Sequence, residues 1–107
     1  MELNEFIKLA VNELHTNTSN YIPTYNLLKV CRMNKFYYFG YFVGKLLEKV
    51  DDERFLDELA LCAYYIGYYN EAYNLNKRIL TICSDKIMER IKQNTMFCEQ
   101  KMARVDK

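Results

Sequence analysis

A chain of 107 residues suits one domain, and that length can bury a core without disulfides or metal. Half of the residues are apolar and 27% are charged, the ordinary balance of a soluble globular protein. A net charge of +1 argues against a dedicated nucleic-acid binder, which carries a clear basic excess, though it leaves room for a local patch.

With 3 glycines and 1 proline, helix breakers are few, which favours helices joined by short connections. The first predicted helix runs from about Leu3 to His15. Leu3, Phe6, Ile7, Ala10, Val11 and Leu14 keep the i, i+3, i+4, i+7 spacing of one apolar face, with Glu2, Lys8 and Glu13 opposite. Such a helix suits the end of a helical stack, where one face stays wet. His15 to Asn20 is a polar break. Ser19 or Asn20 helps to start a second helix, and Pro23 fits its first turn, where a missing N–H does no harm. Tyr25, Leu28 and Cys31 form its buried line, Leu27 and Val30 lie beside it, and it runs to about Met33. Asn34 is the expected left-handed stop.

A third helix is expected from Lys35 to Lys49. Its apolar groups stand nearly all round, which predicts burial on more than one side. Gly40 and Gly44 share a face, and each costs a helix up to ~1 kcal/mol against Ala. Close packing against a neighbouring helix offsets that cost. The same spacing marks dimer seams in membranes, but the apolar run Phe36 to Gly44 is far shorter than the ~20 residues of a span. Asp51, Asp52 and Glu53 then suit a helix N-terminus, where negative charge meets the positive end of the dipole.

Leu59 to Leu80 reads as two helices hinged at Gly67. The first carries Leu59, Ala60, Ala63 and Ile66 on one side. The second carries Tyr69, Ala72, Tyr73, Asn76, Ile79, Leu80 and Cys83. Small residues at Ala60, Ala63 and Ala72 let two backbones approach closely. Ser84 caps a last helix, Asp85 to about Lys101, with the apolar line Ile87, Ile91, Thr95, Cys98 and Met102. Ala103 to Lys107 is expected to fray.

The chain offers little catalytic chemistry. There is no strand pattern and no Gly-rich loop, hence no nucleotide-binding fold. A single histidine, His15, leaves no obvious Ser-His-Asp or Cys-His set, although carboxylate pairs stay open in principle. Asp51 and Asp52 are adjacent and precede a helix, unlike a metal-binding D-x-D after a strand. Cys31, Cys62, Cys83 and Cys98 lack C-x-x-C spacing, so a zinc site is disfavoured. They fall on or beside apolar stripes, where free Cys acts as a small hydrophobe. No metal, no cofactor and no enzymatic activity are expected, and a reducing, cytoplasmic setting is. Met1 to Ala10, with Glu2, Glu5 and Lys8, does not read as a signal peptide. Ten tyrosines form either an aromatic binding surface or, more simply, the product of A- and T-rich coding DNA. Aromatic area serves a core in both cases.

The run A-Y-Y-x-G-x-Y-x-E-A, formed by Ala63, Tyr64, Tyr65, Gly67, Tyr69, Glu71 and Ala72 and preceded by Leu59 and Ala60, resembles the core of a tetratricopeptide repeat. The match weakens downstream. Asn76 stands where that family has an aromatic, Ile79 where it has an alanine, and Ser84 where it has a loop proline. The wording D-E-L-A-L-C-A-Y-Y-I-G-Y-Y-N-E-A, with R-I-K-Q-N at Arg90 to Asn94, is similar to the helical regions attached to family 2 glycosyltransferases, over about the last two-thirds of the chain. Tyr21 and Phe55, each beginning the first helix of a pair, lie 34 residues apart, the tetratricopeptide period. K-L-L at Lys45 to Leu47 and R-I-L at Arg78 to Leu80 match at a shift of 33.

The resemblance implies an all-α domain over residues 1–107. About six helices would form antiparallel hairpins stacked as a short right-handed superhelix. Residues 1–20 would be a capping helix and loop, 21–52 a degenerate repeat, 53–84 the best repeat and 85–107 a closing helix with a frayed tail. In that family the first helix of each pair lines a concave groove. The groove positions carried over are Arg54, Asp57, Leu61, Tyr64 and Tyr65, with Arg32 by a looser match. Tyr64 and Tyr65 serve either that groove or the packing between helices, and the sequence leaves both open. The implied function is a noncatalytic scaffold for a protein or peptide. The alternative is an accessory region of, or fragment from, a family 2 glycosyltransferase whose catalytic domain lies elsewhere. A nucleic-acid surface at Lys29, Arg32 and Lys35 is opposed by the near-neutral charge.

Overall fold

The structure, a computed structural model, describes residues 5, 8, 22–47 and 50–105. Among the described residues the fold is all-α, with five helices and no strand. They are α1 (Ile22–Met33), α2 (Tyr37–Lys45), α3 (Glu53–Tyr65), α4 (Tyr69–Leu80) and α5 (Asp85–Val105). The expected first helix, with its capping role, falls outside these residues apart from Glu5 and Lys8, which are helical and exposed. The count among the described residues is therefore five rather than about six.

The turns follow from backbone hydrogen bonding. Gly67 takes φ 89°, with Tyr68 N–H donating to Ala63 O at 2.9 Å and Gly67 N–H to Tyr64 O at 3.1 Å. This is the Schellman pattern, which needs one left-handed residue. The α1–α2 turn repeats it: Phe36 N–H donates to Cys31 O at 2.8 Å and Lys35 N–H to Arg32 O at 3.2 Å. The left-handed residue there is Lys35, φ 63°, and not Asn34. Asn34 instead spends its side chain on Val30 O, at 2.8 Å. Because Lys35 and Phe36 belong to the turn, α2 starts at Tyr37 rather than Lys35. At α3 the acidic run behaves as expected, with Asp52 Oδ1 accepting from the N–H groups of Arg54 and Phe55, both at 3.0 Å.

The glycines of α2 let it lie against two helices at once. A Cβ on Gly40 would sit 2.9 Å from Cys62 Sγ and 3.1 Å from Cys31 Cβ. On Gly44 it would sit 2.7 Å from Leu59 Cδ1 and 2.8 Å from Leu28 Cδ2. As α2 advances from Gly40 to Gly44, its neighbours step back from Cys31 to Leu28 and from Cys62 to Leu59. So α1 and α3 run parallel, with α2 antiparallel to both. The other side of α2 is exposed, with Tyr38 59% and Phe42 58% accessible, and Phe39 and Leu46 likewise open. The all-round apolar pattern thus overstates its burial: Gly40, Tyr41 and Gly44 are buried, and Tyr37 and Val43 are half-buried against the core.

Behind this contact lies one core of Leu28, Phe55, Leu56, Leu59, Cys62, Ala63, Ala72, Ile79, Ile91 and Cys98. Ala60, Ala63 and Ala72 are buried, as the small-residue pattern requires. Cys31, Cys62 and Cys98 are buried free thiols packed as small hydrophobes. In α5 the line Ile91, Thr95 and Cys98 is buried, with Ile87 and Met102 half-buried. This helix continues to Val105, past the expected end near Lys101 and through Ala103, where fraying was expected.

Charged side chains tie the helices together. Glu58 of α3, 7% exposed, receives Arg32 of α1 through Nε at 2.5 Å and Nη2 at 3.2 Å, a two-pronged pair. Glu71 of α4 accepts from the Tyr41 hydroxyl and the Lys45 ammonium of α2. Arg78 of α4 reaches Asp51 at 2.5 Å. Burial works to raise the Glu71 carboxyl pKa, but the hydrogen bonds from Lys45 and Tyr41 outweigh it and hold the value below the ordinary 4.5. Burial and the same bond push the Tyr41 hydroxyl up to about 12.

Two predictions follow from this packing. Gly44→Ala gains helix propensity of up to ~1 kcal/mol, but its methyl must displace two buried leucines at a cost of about 1–3 kcal/mol. A lowered urea midpoint is expected, and an unchanged one would show that α2 is not wedged here. The Glu71 pKa is lower folded than unfolded, so its contribution is complete above 4.5 and disappears as pH falls through the folded value. Stability measured from about pH 6 down to about pH 3 should fall less steeply in Glu71→Gln than in the parent chain.

Candidate functional site

Helices α3 and α5 both pack on α4 and run in the same direction. At their N-terminal ends they are bridged: Arg90 Nη2 lies 2.9 Å from Asp57 Oδ2, and Ser84 N–H donates to Glu53 Oε2 at 3.0 Å. Beyond the bridge lies an open cleft of about 150 Å³. Ala60, Leu61, Tyr64 and Tyr65 of α3 form one wall, and Asn94, Phe97 and Cys98 of α5 form the other. Asn76 of α4 closes it. Positions 61, 64 and 65 share one helical face, as do 94, 97 and 98. Asp57 and Arg90, Leu61 and Asn94, and Tyr64 and Phe97 are each 33 residues apart.

The rim is aromatic. Tyr65, 55% exposed, stacks on Tyr37 of α2 with ring centroids 4.7 Å apart. Tyr64, half-buried, meets Tyr65 edge-on at 5.5 Å and Tyr69 of α4 at 5.4 Å. Both rings therefore pack between helices and line the cleft. Phe97 faces them from α5, 44% exposed.

Asn76 is 3% exposed. Its Nδ2 donates to Ala72 O at 2.8 Å, which fixes the orientation of the amide. Its Oδ1 is buried without a partner. An unsatisfied buried acceptor costs roughly 1–3 kcal/mol. The nearby thiol is quiet: burial, partly offset by a hydrogen bond from Asn76, pushes Cys98 upward.

Of the six groove positions expected from sequence, Leu61, Tyr64 and Tyr65 come together in the cleft. Asp57 stands at its closed end, with one oxygen held by Arg90 and Oδ1 buried and unpaired. Arg54 lies elsewhere on α3, over the Tyr25 ring at 5.7 Å. Arg32 is engaged by Glu58 between α1 and α3. Sequence reasoning missed Asn94, Phe97 and Cys98 as lining residues, and it read Asn76 as one of the inner line of its helix and as a departure from the family pattern, not as part of a site. Carrying the 33-residue shift forward once more, from Leu61 and Tyr64, would have reached Asn94 and Phe97.

Asn76→Leu keeps the shape and removes the unpaired oxygen. It should raise stability by about 1 kcal/mol in chemical denaturation, and a loss of that size would mean the amide is satisfied in solution. Compared with family models, curated proteins and solved structures, the chain matches none.

Proposed function

We propose that the chain is a noncatalytic, tetratricopeptide-like scaffold that binds a protein or peptide segment along the face shared by α3 and α5. The cleft between these helices carries the proposal. It is open, mostly apolar, rimmed by tyrosines and phenylalanine, and includes three positions assigned to a groove by the repeat resemblance. Tyrosine is an effective contact residue because it offers large area at low entropy cost. A groove of this kind needs few anchors.

The arrangement of helices supports the repeat reading. Parallel α1, α3 and α5 alternate with α2 and α4, and the turns at Lys35 and Gly67 share one hydrogen-bond pattern. A noncatalytic role is supported by the lining, which offers amides, aromatic rings and one thiol made less acidic by its surroundings. The link to glycosyltransferases rests on the sequence resemblance alone, with no structural observation in its favour.

Selection of a random peptide library on the whole protein, followed by fluorescence anisotropy, tests the reading. Binding should weaken about tenfold or more in Tyr65→Ala and Phe97→Ala, with helical circular dichroism retained. Phe42→Ala, on the open side of α2, should bind like the parent. Selected peptides that ignore the first two changes would refute the groove.

A further inference from the structure

The open side of α2 carries a ridge that the cleft does not use. Tyr38, Phe42 and Leu46 follow at four-residue steps and so share one face, with Phe39 beside them. Phe36 lies one turn before Phe39, at the start of the helix. These five side chains are between 40% and 67% exposed, and no charged residue stands among them. Tyr38 stacks on Phe42 with ring centroids 6.4 Å apart, and Tyr41 meets Phe42 edge-on at 5.3 Å, so the rings hold one another in place.

Area and composition select the occupant. An aromatic side chain offers about 150–250 Å², so at these exposures the ridge leaves about 500 Å² of apolar surface open. A standard interface takes roughly 800 Å² from each partner, and homodimer interfaces are about 65% apolar, so each copy brings about 500 Å² of apolar surface. The ridge matches that amount. Other occupants fit less well. An anionic lipid surface or a nucleic acid is held by cations, but of the four cations in the α1–α2 hairpin, Arg32 and Lys45 are already engaged by Glu58 and Glu71. A different protein is selected by polar or charged anchors, and the ridge offers one, the Tyr38 hydroxyl. A second copy needs none, because a ridge with Phe42 at its middle matches itself.

We infer that the chain forms a two-fold dimer in which α2 packs antiparallel on the α2 of a second copy, with Phe42 at the axis against its own equivalent and Tyr38 beside the partner's Leu46. A two-fold contact uses one patch twice. Interdigitated ridges of four-residue steps are the commonest helix packing in globular proteins. Tyr37, the α2 residue stacked on Tyr65, lies round the helix from Phe42 and packs against the core, so both clefts stay open in the dimer.

Sedimentation equilibrium of the whole chain at about 100 µM should give twice the mass of one chain, since interfaces of this size hold at micromolar levels or tighter. Phe42→Glu sets two carboxylates face to face at the axis and should weaken association about a hundredfold or more. Its helical circular dichroism should be retained, because Phe42 lies outside the core. With copper phenanthroline, Phe42→Cys should oxidise to a covalent dimer at least about tenfold faster than Met96→Cys, a comparably exposed position on α5. A monomer at that concentration overturns the inference, and binding to phosphatidylserine vesicles that is lost in Phe42→Glu would then assign the ridge to a lipid surface. A dimer that survives Phe42→Glu, or equal cross-linking rates in the two cysteine variants, overturns it as well, because the contact then lies elsewhere.

Discussion

The closeness of α2 to α1 and α3 is the constraint on which the remaining geometry depends. Two missing side chains, at Gly40 and Gly44, leave the space that Cys31, Cys62, Leu28 and Leu59 fill. Dense packing makes such a contact intolerant of added volume. With α2 seated there, α1 and α3 are held parallel, and the guanidinium of Arg32 comes within reach of Glu58. With α3 fixed, the Gly67 turn returns α4 along it, and α5 lies over α4 in register with α3. The cleft is thus a late product of a contact on the far side of α3.

Charge pairs reinforce this order. Isolated surface pairs contribute little, but Glu58 is largely buried and held by two nitrogens. Glu71 is held by groups from another helix, Tyr41 and Lys45. These ties join α1 to α3 and α2 to α4. Asp57 and Arg90 do the same for α3 and α5.

What the sequence made legible was local and periodic. The glycine pair, the three alanines, the Gly67 hinge and the line of α5 follow from spacing and residue size, the acidic start of α3 follows from charge, and all are present. What it hid depended on neighbours distant along the chain. The choice of Lys35 over Asn34 for the left-handed turn is set by which carbonyls close the Schellman bonds, and composition does not reveal that. The exposure of Tyr38 and Phe42 depends on how many helices surround α2, which a helical pattern cannot count. Arg32 and Asp57 looked available because their partners, Glu58 and Arg90, lie 26 and 33 residues away. Asn76 read as an imperfection in a repeat, yet with Asn94 it supplies an amide to the candidate site.

The stack of Tyr65 on Tyr37 has a consequence for how the cleft receives anything. A large exposed ring on a helix surface ordinarily samples several rotamers and must give them up on association, a loss of roughly 0.5–1.5 kcal/mol for a freely turning side chain. Here one face of the ring is already occupied by a neighbour from another hairpin, and its edge is met by Tyr64. That freedom is surrendered during folding. The lip of the cleft is preorganised, so an arriving molecule meets a wall already set in place.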